Sequence, residues 1–411
     1  MHNTCTPPAP LSARENTLWN MSGCIFYLGC QWLTTILVVV FSAGFDNSGA
    51  LAFAMSVGNM FASVSLYKIR TFQVSDIQND YSSGDYIGFR VFTISASLIV
   101  STAYIALISN NPLALASSLF YLLFKADETF VDVLYGIDQK HGRMDYIGQS
   151  QFIRGAATLI GFTVPIALTD NLLYAIIGMT VLCACTTIFF DIKRTSRFGS
   201  VYASFSRAQI TNLAKACLLP TVANFCATSI VSIARQRYGI LEGEELLGIY
   251  ASIATPAVLV QAGAAYLYSP LIGSISSTLH KRGIAAFKKS VLKILLLLIA
   301  CMGVVIGLLS AFGPQILLGV FGAKLSPYVW IFPFALLSTT TVAILLYIND
   351  ALLILRDGIT QVVINAIALT ITALFANNAI SLWGMNGVNL LVICATTIAG
   401  SIGLFKMLSI K

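Results

Sequence analysis

SSLFYLLFKADETFVDVLYG, residues 117–136, has the length and the apolar ends of a membrane-spanning helix, but four charged residues interrupt its middle. They are Lys125, Asp127, Glu128 and Asp132. A charge at the centre of a membrane helix costs about 3 kcal/mol on insertion scales, and such charges usually serve a function. What these four side chains face depends on the rest of the chain.

The composition indicates the solvent around this stretch. Of 411 residues, 57% are hydrophobic and 10% are charged, whereas soluble domains carry about 25% charged residues. Because so few polar residues cannot cover a core of this size, the apolar surplus must face lipid. The composition therefore predicts an all-α, polytopic membrane protein.

Twelve apolar runs are long enough to cross a membrane, which takes about 20 residues each. The predicted spans are 17–43, 50–69, 90–109, 112–135, 151–169, 171–190, 210–234, 246–272, 290–311, 328–348, 358–376 and 383–405. A faint match between GALAFAMS at 49–56 and GIYASIAT at 248–255 favours two halves in the same orientation. We therefore predict two six-helix bundles, 1–198 and 199–411, joined by the basic segment 191–209.

Lysines and arginines test this span count, because they collect on the cytoplasmic side of membrane proteins. With a cytoplasmic N-terminus, 20 of the 24 basic residues fall in cytoplasmic segments, and Arg235, Arg237 and Lys324 fall outside. Lys125 lies within a span. We expect an uncleaved first helix and both termini in the cytoplasm. The net charge of +7 then reflects topology, and no nucleic-acid partner is expected.

The sequence lacks the signatures of catalysis, metal binding and ATP hydrolysis. Its three histidines lie in the tail and in predicted cytoplasmic loops, its nine cysteines show no metal-ligand spacing, and no Walker glycine loop occurs. The predicted outside loops are too short for a catalytic domain. We expect a protein that is not an enzyme, has no cofactor, and is driven by an ion gradient or by the gradient of its cargo.

The charges of 117–136 follow the helical repeat of 3.6 residues. Six polar side chains recur at steps of three or four and share one helix face: Tyr121, Lys125, Glu128, Asp132, Tyr135 and Gln139. Asp127 lies off this stripe and is expected to tolerate Asn. The free-energy cost of an aligned stripe of charges is lower when it faces water or partner charges than when it faces lipid. The stripe is therefore expected to line an interior cavity. A purely structural Lys125–Glu128 ion pair is the alternative.

Four other predicted spans carry polar stripes. Their members include Tyr27 and Gln31 in the first span, Asn59 and Arg70 along the second, Asn224 and Arg235 along the seventh, and Gln261 in the eighth. Such stripes also serve as hydrogen-bonding contacts between membrane helices. For Arg154 and Arg235, near predicted span ends, snorkelling to the membrane surface is an equal alternative. We expect the striped helices to face each other across a central axis.

Two predicted cytoplasmic segments resemble a known family. They are RTFQVSDIQNDYSSGDYIGFR at 70–90 and DVLYGIDQKHGRMDYIGQSQFIRG at 132–155, together with WLTTILVVVFSAG at 32–44. They resemble O-antigen and polysaccharide-unit flippases of the multidrug/oligosaccharidyl-lipid/polysaccharide exporter (MOP) superfamily. The resemblance implies a V-shaped pair of six-helix bundles around a central cavity that opens alternately to each side of the bacterial cytoplasmic (inner) membrane.

The cargo implied by this resemblance is an undecaprenyl-diphosphate-linked oligosaccharide, a repeat unit of O-antigen, capsule or exopolysaccharide, flipped from the inner to the outer leaflet. The cations expected to offset the diphosphate are Lys125, Arg70, Arg154 and Arg235. The side chains expected to contact the sugar are Tyr27, Gln31, Asn59, Tyr121, Asn224 and Gln261. Glu128 or Asp132 would bind a proton or a sodium ion in exchange. Membrane lipids and a polysaccharide polymerase are further expected partners.

Two alternatives stay open at this point. A multidrug antiporter of the same superfamily would use the same fold around a carboxylate-lined, more aromatic pocket. A polysaccharide polymerase has a similar number of spans, but it needs a sizeable outside loop, which the predicted spans do not leave.

The predicted topology has a direct test. In a cysteine-free background, single cysteines are introduced as Ser200→Cys and Gly243→Cys. An impermeant thiol reagent should label position 243 in intact cells and position 200 only after permeabilisation, because only position 243 is predicted to face outward. The opposite labelling pattern would reject this topology.

Overall fold

The computed structural model describes residues 9–76, 80–109, 111–199 and 201–410, and every regular element in these ranges is a helix. The helices of the N-terminal part are α1 (Ala13–Phe41), α2 (Asp46–Leu66), α3 (Ile69–Ser75), α4 (Ser83–Ile108), α5 (Pro112–Lys140), α6 (Met144–Thr169), α7 (Leu172–Thr186) and α8 (Ile192–Thr195). A π-helical turn, Thr187–Asp191, joins α7 to α8, and a 3₁₀ turn, Ser196–Phe198, follows.

The C-terminal part has the same character. Its helices are α9 (Arg207–Glu242), α10 (Glu244–Phe321), α11 (Phe332–Ile354), α12 (Gly358–Trp383) and α13 (Met385–Ser409), with 3₁₀ turns at Ala323–Leu325 and Val329–Ile331. Helix α10 is broken at Gly283, where φ is 77°, and its two arms contain the predicted spans 246–272 and 290–311. The greater part of each predicted span lies on a helix or on one arm of a helix, which confirms an all-helical, polytopic membrane protein.

Ten helical segments in the described ranges are long and apolar enough to cross a membrane. The predicted spans 112–135 and 246–272 are not among them. The first of these is α5, whose charges make it more polar than its neighbours. A helix of this composition crosses a membrane only if other helices shield its charges from lipid.

Polar N-terminal caps set the residues at which α4 and α5 begin. Ser82 and Asp85 form a capping box at the start of α4, in which each side chain satisfies a backbone N–H group of the first turn. Asn111 caps α5 and Pro112 occupies its first turn, where a missing N–H costs nothing. These caps set the register of the two helices that supply Arg90 and the α5 charges.

The chain divides into two compact units, Met1–Thr221 and Val222–Lys411. The division falls inside α9, next to Pro220. The start of α9 belongs to the first unit because Leu213 and Cys217 pack in one apolar cluster with residues of α3, α4 and α5. The connection before α9 is also bound there, since the Ser204 N–H donates to the Gly84 carbonyl at 2.9 Å. The domain boundary predicted after residue 198 stays a prediction.

Glycines let α6 approach its neighbours closely. A Cβ atom at Gly148 of α6 would lie 2.4 Å from the Trp19 carbonyl oxygen of α1. A Cβ at Gly178 of α7 would lie 2.3 Å from the Gly161 oxygen of α6. Such close backbone contact through small residues is a common way to pack membrane helices. Helix α6 therefore packs tightly against both α1 and α7.

Gly243 affects the labelling test for topology. It joins α9 to α10 with a φ of 90°, a backbone conformation that favours glycine. A Cβ atom built there meets no heavy atom within 4 Å, so a cysteine has room but a strained backbone. The exposed neighbour Glu242 is a better position for the same label.

Candidate functional site

The predicted stripe of α5 lies in the interior of the first unit, where it meets α1. The Lys125 Nζ atom lies 2.6 Å from Glu128 Oε2. The Tyr27 hydroxyl and the Gln31 side-chain amide both donate to Glu128 Oε1, at 2.6 and 2.9 Å. Four side chains from two helices thus form one network around a single carboxylate.

A small cavity lies beside this network and is lined by residues of α1, α2, α5, α6 and α7. Water centres can occupy about 80 Å³ of it, well above the roughly 10–15 Å³ that a cavity needs to hold one water molecule. Gln31, Asn59, Tyr121 and Lys125 all line it. The Lys125 ammonium lies 5.7 Å from the centre of the Tyr121 ring. The structure therefore brings four of the predicted site residues to one cavity.

Asp132 forms a second cluster one turn further along α5. Arg90 Nη2 lies 2.8 Å and Arg70 Nη1 lies 3.3 Å from its two oxygens. The Arg90 side chain is fully buried, and its other amino group donates to the Ser65 carbonyl at 2.6 Å. Arg70 also donates to Gln139 Oε1 at 2.9 Å. Two guanidinium groups share one carboxylate, so this cluster carries a net positive charge.

Asp127 points away from the stripe but is also paired. Its two oxygens accept hydrogen bonds from Arg154 Nη2 at 2.6 Å and from the Thr187 hydroxyl at 2.7 Å. Arg154 is only 2% exposed, so it is buried and does not snorkel to the membrane surface. Asp127 is therefore not the neutral position that its place off the stripe suggested.

Sequence reasoning missed several members of these clusters. Arg90 counts only as one of the 20 predicted cytoplasmic basic residues, at the start of the predicted span 90–109, and the sequence predicts no site role for Asp127, Thr187 or Asp191. One signal was available for the last two, because polar residues recur every fourth position at Thr187, Asp191 and Thr195. No single-helix pattern, however, shows which neighbouring helix supplies a partner.

Three predicted site residues belong to the second unit. The Arg235 guanidinium lies 5.8 Å from the centre of the Tyr250 ring, and the Tyr250 hydroxyl donates to Asn389 Oδ1 at 2.9 Å. Asn224 and Gln261 are half-buried on α9 and α10. The cargo contacts expected of these residues stay predictions.

Within the described residues, no group of three or more His, Cys, Asp or Glu side chains is arranged to hold a metal ion.

An open pocket lies at the C-terminal end of α5, and water centres can occupy about 720 Å³ of it. Asp76 in its wall accepts a hydrogen bond from the Tyr86 hydroxyl at 2.8 Å and lies 3.6 Å from Lys140 Nζ. Burial raises the pKa of Asp76, but the bonds from Tyr86 and from two backbone N–H groups, with the Lys140 charge, bring that pKa below its ordinary value. This pocket therefore presents an ionised, paired carboxylate at neutral pH.

The fold has counterparts among solved structures. An inward-facing multidrug resistance MATE family transporter of the MOP superfamily aligns with a TM-score of 0.73 at 11% identity, over 92% of this chain and 93% of that chain. A mutant of the Vibrio cholerae MATE transporter VcmN aligns with a TM-score of 0.60 at 11% identity, over 96% and 95%. A MOP superfamily transporter from Pyrococcus furiosus aligns with a TM-score of 0.57 at 12% identity, over 95% and 94%.

The sequence comparisons gave no relative. No family model matches the chain, and no curated protein sequence matches it. The structural likeness nevertheless extends over nearly the whole chain in each case. The protein is a multi-pass membrane protein with the fold of the MOP superfamily transporters.

The pairing of Asp127 with Arg154 generates a stability prediction. Removing one partner of a buried ion pair costs about 3–5 kcal/mol, because the other charge stays buried. Asp127→Asn should therefore lower the unfolding temperature of the purified protein and reduce its yield. Asp46→Asn, at an exposed carboxylate that begins α2, is the matched control and should leave both unchanged. Equal unfolding temperatures for the two variants would show that the Asp127–Arg154 pair contributes nothing to stability.

Proposed function

We propose that this protein is a transporter, not an enzyme, that flips an undecaprenyl-diphosphate-linked oligosaccharide across the bacterial cytoplasmic membrane by alternating access. The MOP transporter fold supports transport. The resemblance of segments 70–90 and 132–155 to polysaccharide-unit flippases supports this class of cargo. The observation that carries the choice is the charge of the α5 stripe.

That charge favours an anion. Three cations share two carboxylates along the stripe, which leaves one positive charge in excess; the cations are Lys125, Arg70 and Arg90, and the carboxylates are Glu128 and Asp132. Diphosphate oxygens accept strong, charge-assisted hydrogen bonds from such cations. An organic cation would instead meet the Lys125 ammonium at the cavity wall. The cavity admits waters but no sugar, so we propose that it widens during the transport cycle.

The Lys125–Glu128 pair links cargo binding to an ion. When Lys125 binds a diphosphate, Glu128 keeps its two hydrogen-bond donors, Tyr27 and Gln31, but loses its cation. A carboxylate buried without a cation gains affinity for a proton or a sodium ion. Glu128 is thus the proposed ion-coupling residue. Asp132, which keeps two guanidinium partners, is the second candidate.

A multidrug antiporter is the alternative function. The inward-facing MATE neighbour is described as a multidrug resistance transporter, and it shares this fold. The neighbour from Pyrococcus furiosus is described as having a binding pocket of reversed polarity that suggests a different function. Pocket polarity is therefore the property that separates the two proposals for this chain.

Transport assays test the role of the pair. Lys125→Ala should reduce the flux of lipid-linked oligosaccharide into proteoliposomes by about tenfold or more, which corresponds to roughly 1.4 kcal/mol or more of lost cargo stabilisation. Glu128→Gln should keep cargo binding but lose the stimulation of flux by an ion gradient, because an amide cannot release a proton. Flux is measured with and without imposed proton and sodium gradients.

Asp46→Asn is the control for these assays and should behave as the unaltered protein does.

Deletion of the gene in cells should abolish surface polysaccharide while lipid-linked repeat units accumulate in the inner leaflet. Unchanged oligosaccharide flux in Lys125→Ala, combined with efflux of organic cations, would replace the flippase proposal by the antiporter.

A further inference from the structure

A second polar face of α5 meets a ladder of polar residues on the π-helical turn and α8. The ladder residues are four positions apart, and each contacts a charged group: Thr187 donates to Asp127 at 2.7 Å, Asp191 Oδ2 lies 3.8 Å from Arg154 Nη1, and Thr195 donates to Asp138 at 3.1 Å. π-Helical turns within helices frequently mark functional sites. The cavity beside Lys125 does not include this ladder.

The charges around Asp191 do not balance. The charged or titratable groups that face it are Asp127, Tyr135 and Asp138 on α5 and Arg154 on α6. Arg70 and Arg143 also act on Asp138, so Arg154 is the one cation among the described residues that faces both Asp127 and Asp191. Arg154 makes its short contact, 2.6 Å, with Asp127, and reaches Asp191 only at 3.8 Å. One negative charge would therefore be left over if Asp127 and Asp191 were both ionised.

The burial of the carboxyl oxygens shows that a negative charge costs the most free energy at Asp191. Asp191 is 4% exposed, and its Oδ2 atom is fully buried and accepts no hydrogen bond. Asp138 is equally buried, but neither of its oxygens is buried without a partner. An ionised carboxylate with a bare, buried oxygen pays a large desolvation cost. A neutral carboxylic acid at Asp191 removes this cost and leaves Arg154 and Asp127 as a balanced pair.

We infer that Asp191 is a proton-binding site, which holds its proton at neutral pH and is separate from the Lys125–Glu128 pair. The ligand is a proton and not a metal cation, because the Arg154 guanidinium within 4 Å of the bare oxygen repels a cation. Asp191 holds this proton whatever the cargo is. Protonation and release change the charge beside Arg154, which in turn faces Asp127.

Infrared difference spectroscopy on the purified full-length protein tests this site. A neutral carboxylic acid has a C=O stretching band that is lost on ionisation. The protein should show such a band at neutral pH that disappears at alkaline pH, and Asp191→Asn should lack it. Asp138→Asn and Glu128→Gln, which alter the other candidate proton sites, should keep it. A band that survives in Asp191→Asn, is lost in either control, or is missing from the unaltered protein would overturn the inference.

Thermal unfolding gives a second readout. If the folded state holds a proton that the unfolded chain has released, stability is present at low pH and falls as the pH rises through proton release. Asparagine imitates the neutral acid, so Asp191→Asn should unfold at the unaltered temperature at neutral pH and lose the alkaline decline. A variant that fails to fold, or that is destabilised at neutral pH and keeps the decline, would contradict a neutral Asp191.

Discussion

The cost of placing charge in a membrane interior is the constraint on which the first unit depends. Each of the three carboxylates in the middle of α5 is held by a cation within 3.3 Å: Glu128 by Lys125, Asp132 by Arg70 and Arg90, and Asp127 by Arg154. Since these partners come from α3, α4, α6 and α5 itself, satisfying the charges also fixes how the helices pack around α5. The interior is a set of buried ion pairs. The loss of one partner leaves the other partner as a buried, uncompensated charge.

The backbone bends where these pairs require it. Tyr67 and Lys68 adopt left-handed conformations with φ values of 47° and 51°, which is uncommon for residues other than glycine. This turn ends α2 and starts α3, so that Arg70 reaches Asp132 from a short separate helix. The Ser65 carbonyl released at the end of α2 accepts bonds from Arg90 and Thr93. Charge pairing and chain direction are therefore linked at one place.

Sequence patterns predicted the spans because lipid imposes a length and an apolar composition on each helix separately. They also predicted that the stripe of α5 faces inward. Its contact with Tyr27 and Gln31 agrees with the predicted stripe of the first span, because polar side chains of two membrane helices stabilise each other by hydrogen bonds. They could not predict the Arg154–Asp127 pair, because which helix packs on the second face of α5 is a tertiary property. The burial of Arg90 was missed because α4 begins at Ser83, well before the apolar run that marked the span.

The central functional claim is that the α5 interior recognises an anion, and equilibrium binding to the purified protein tests it most directly. The affinities of undecaprenyl diphosphate and of tetraphenylphosphonium, a lipophilic cation, are compared for the unaltered protein and for Lys125→Ala. The excess positive charge predicts tighter binding of the diphosphate, weakened about tenfold in Lys125→Ala, which corresponds to roughly 1.4 kcal/mol. Tighter binding of the organic cation, with no effect of Lys125→Ala on the diphosphate, would contradict the account.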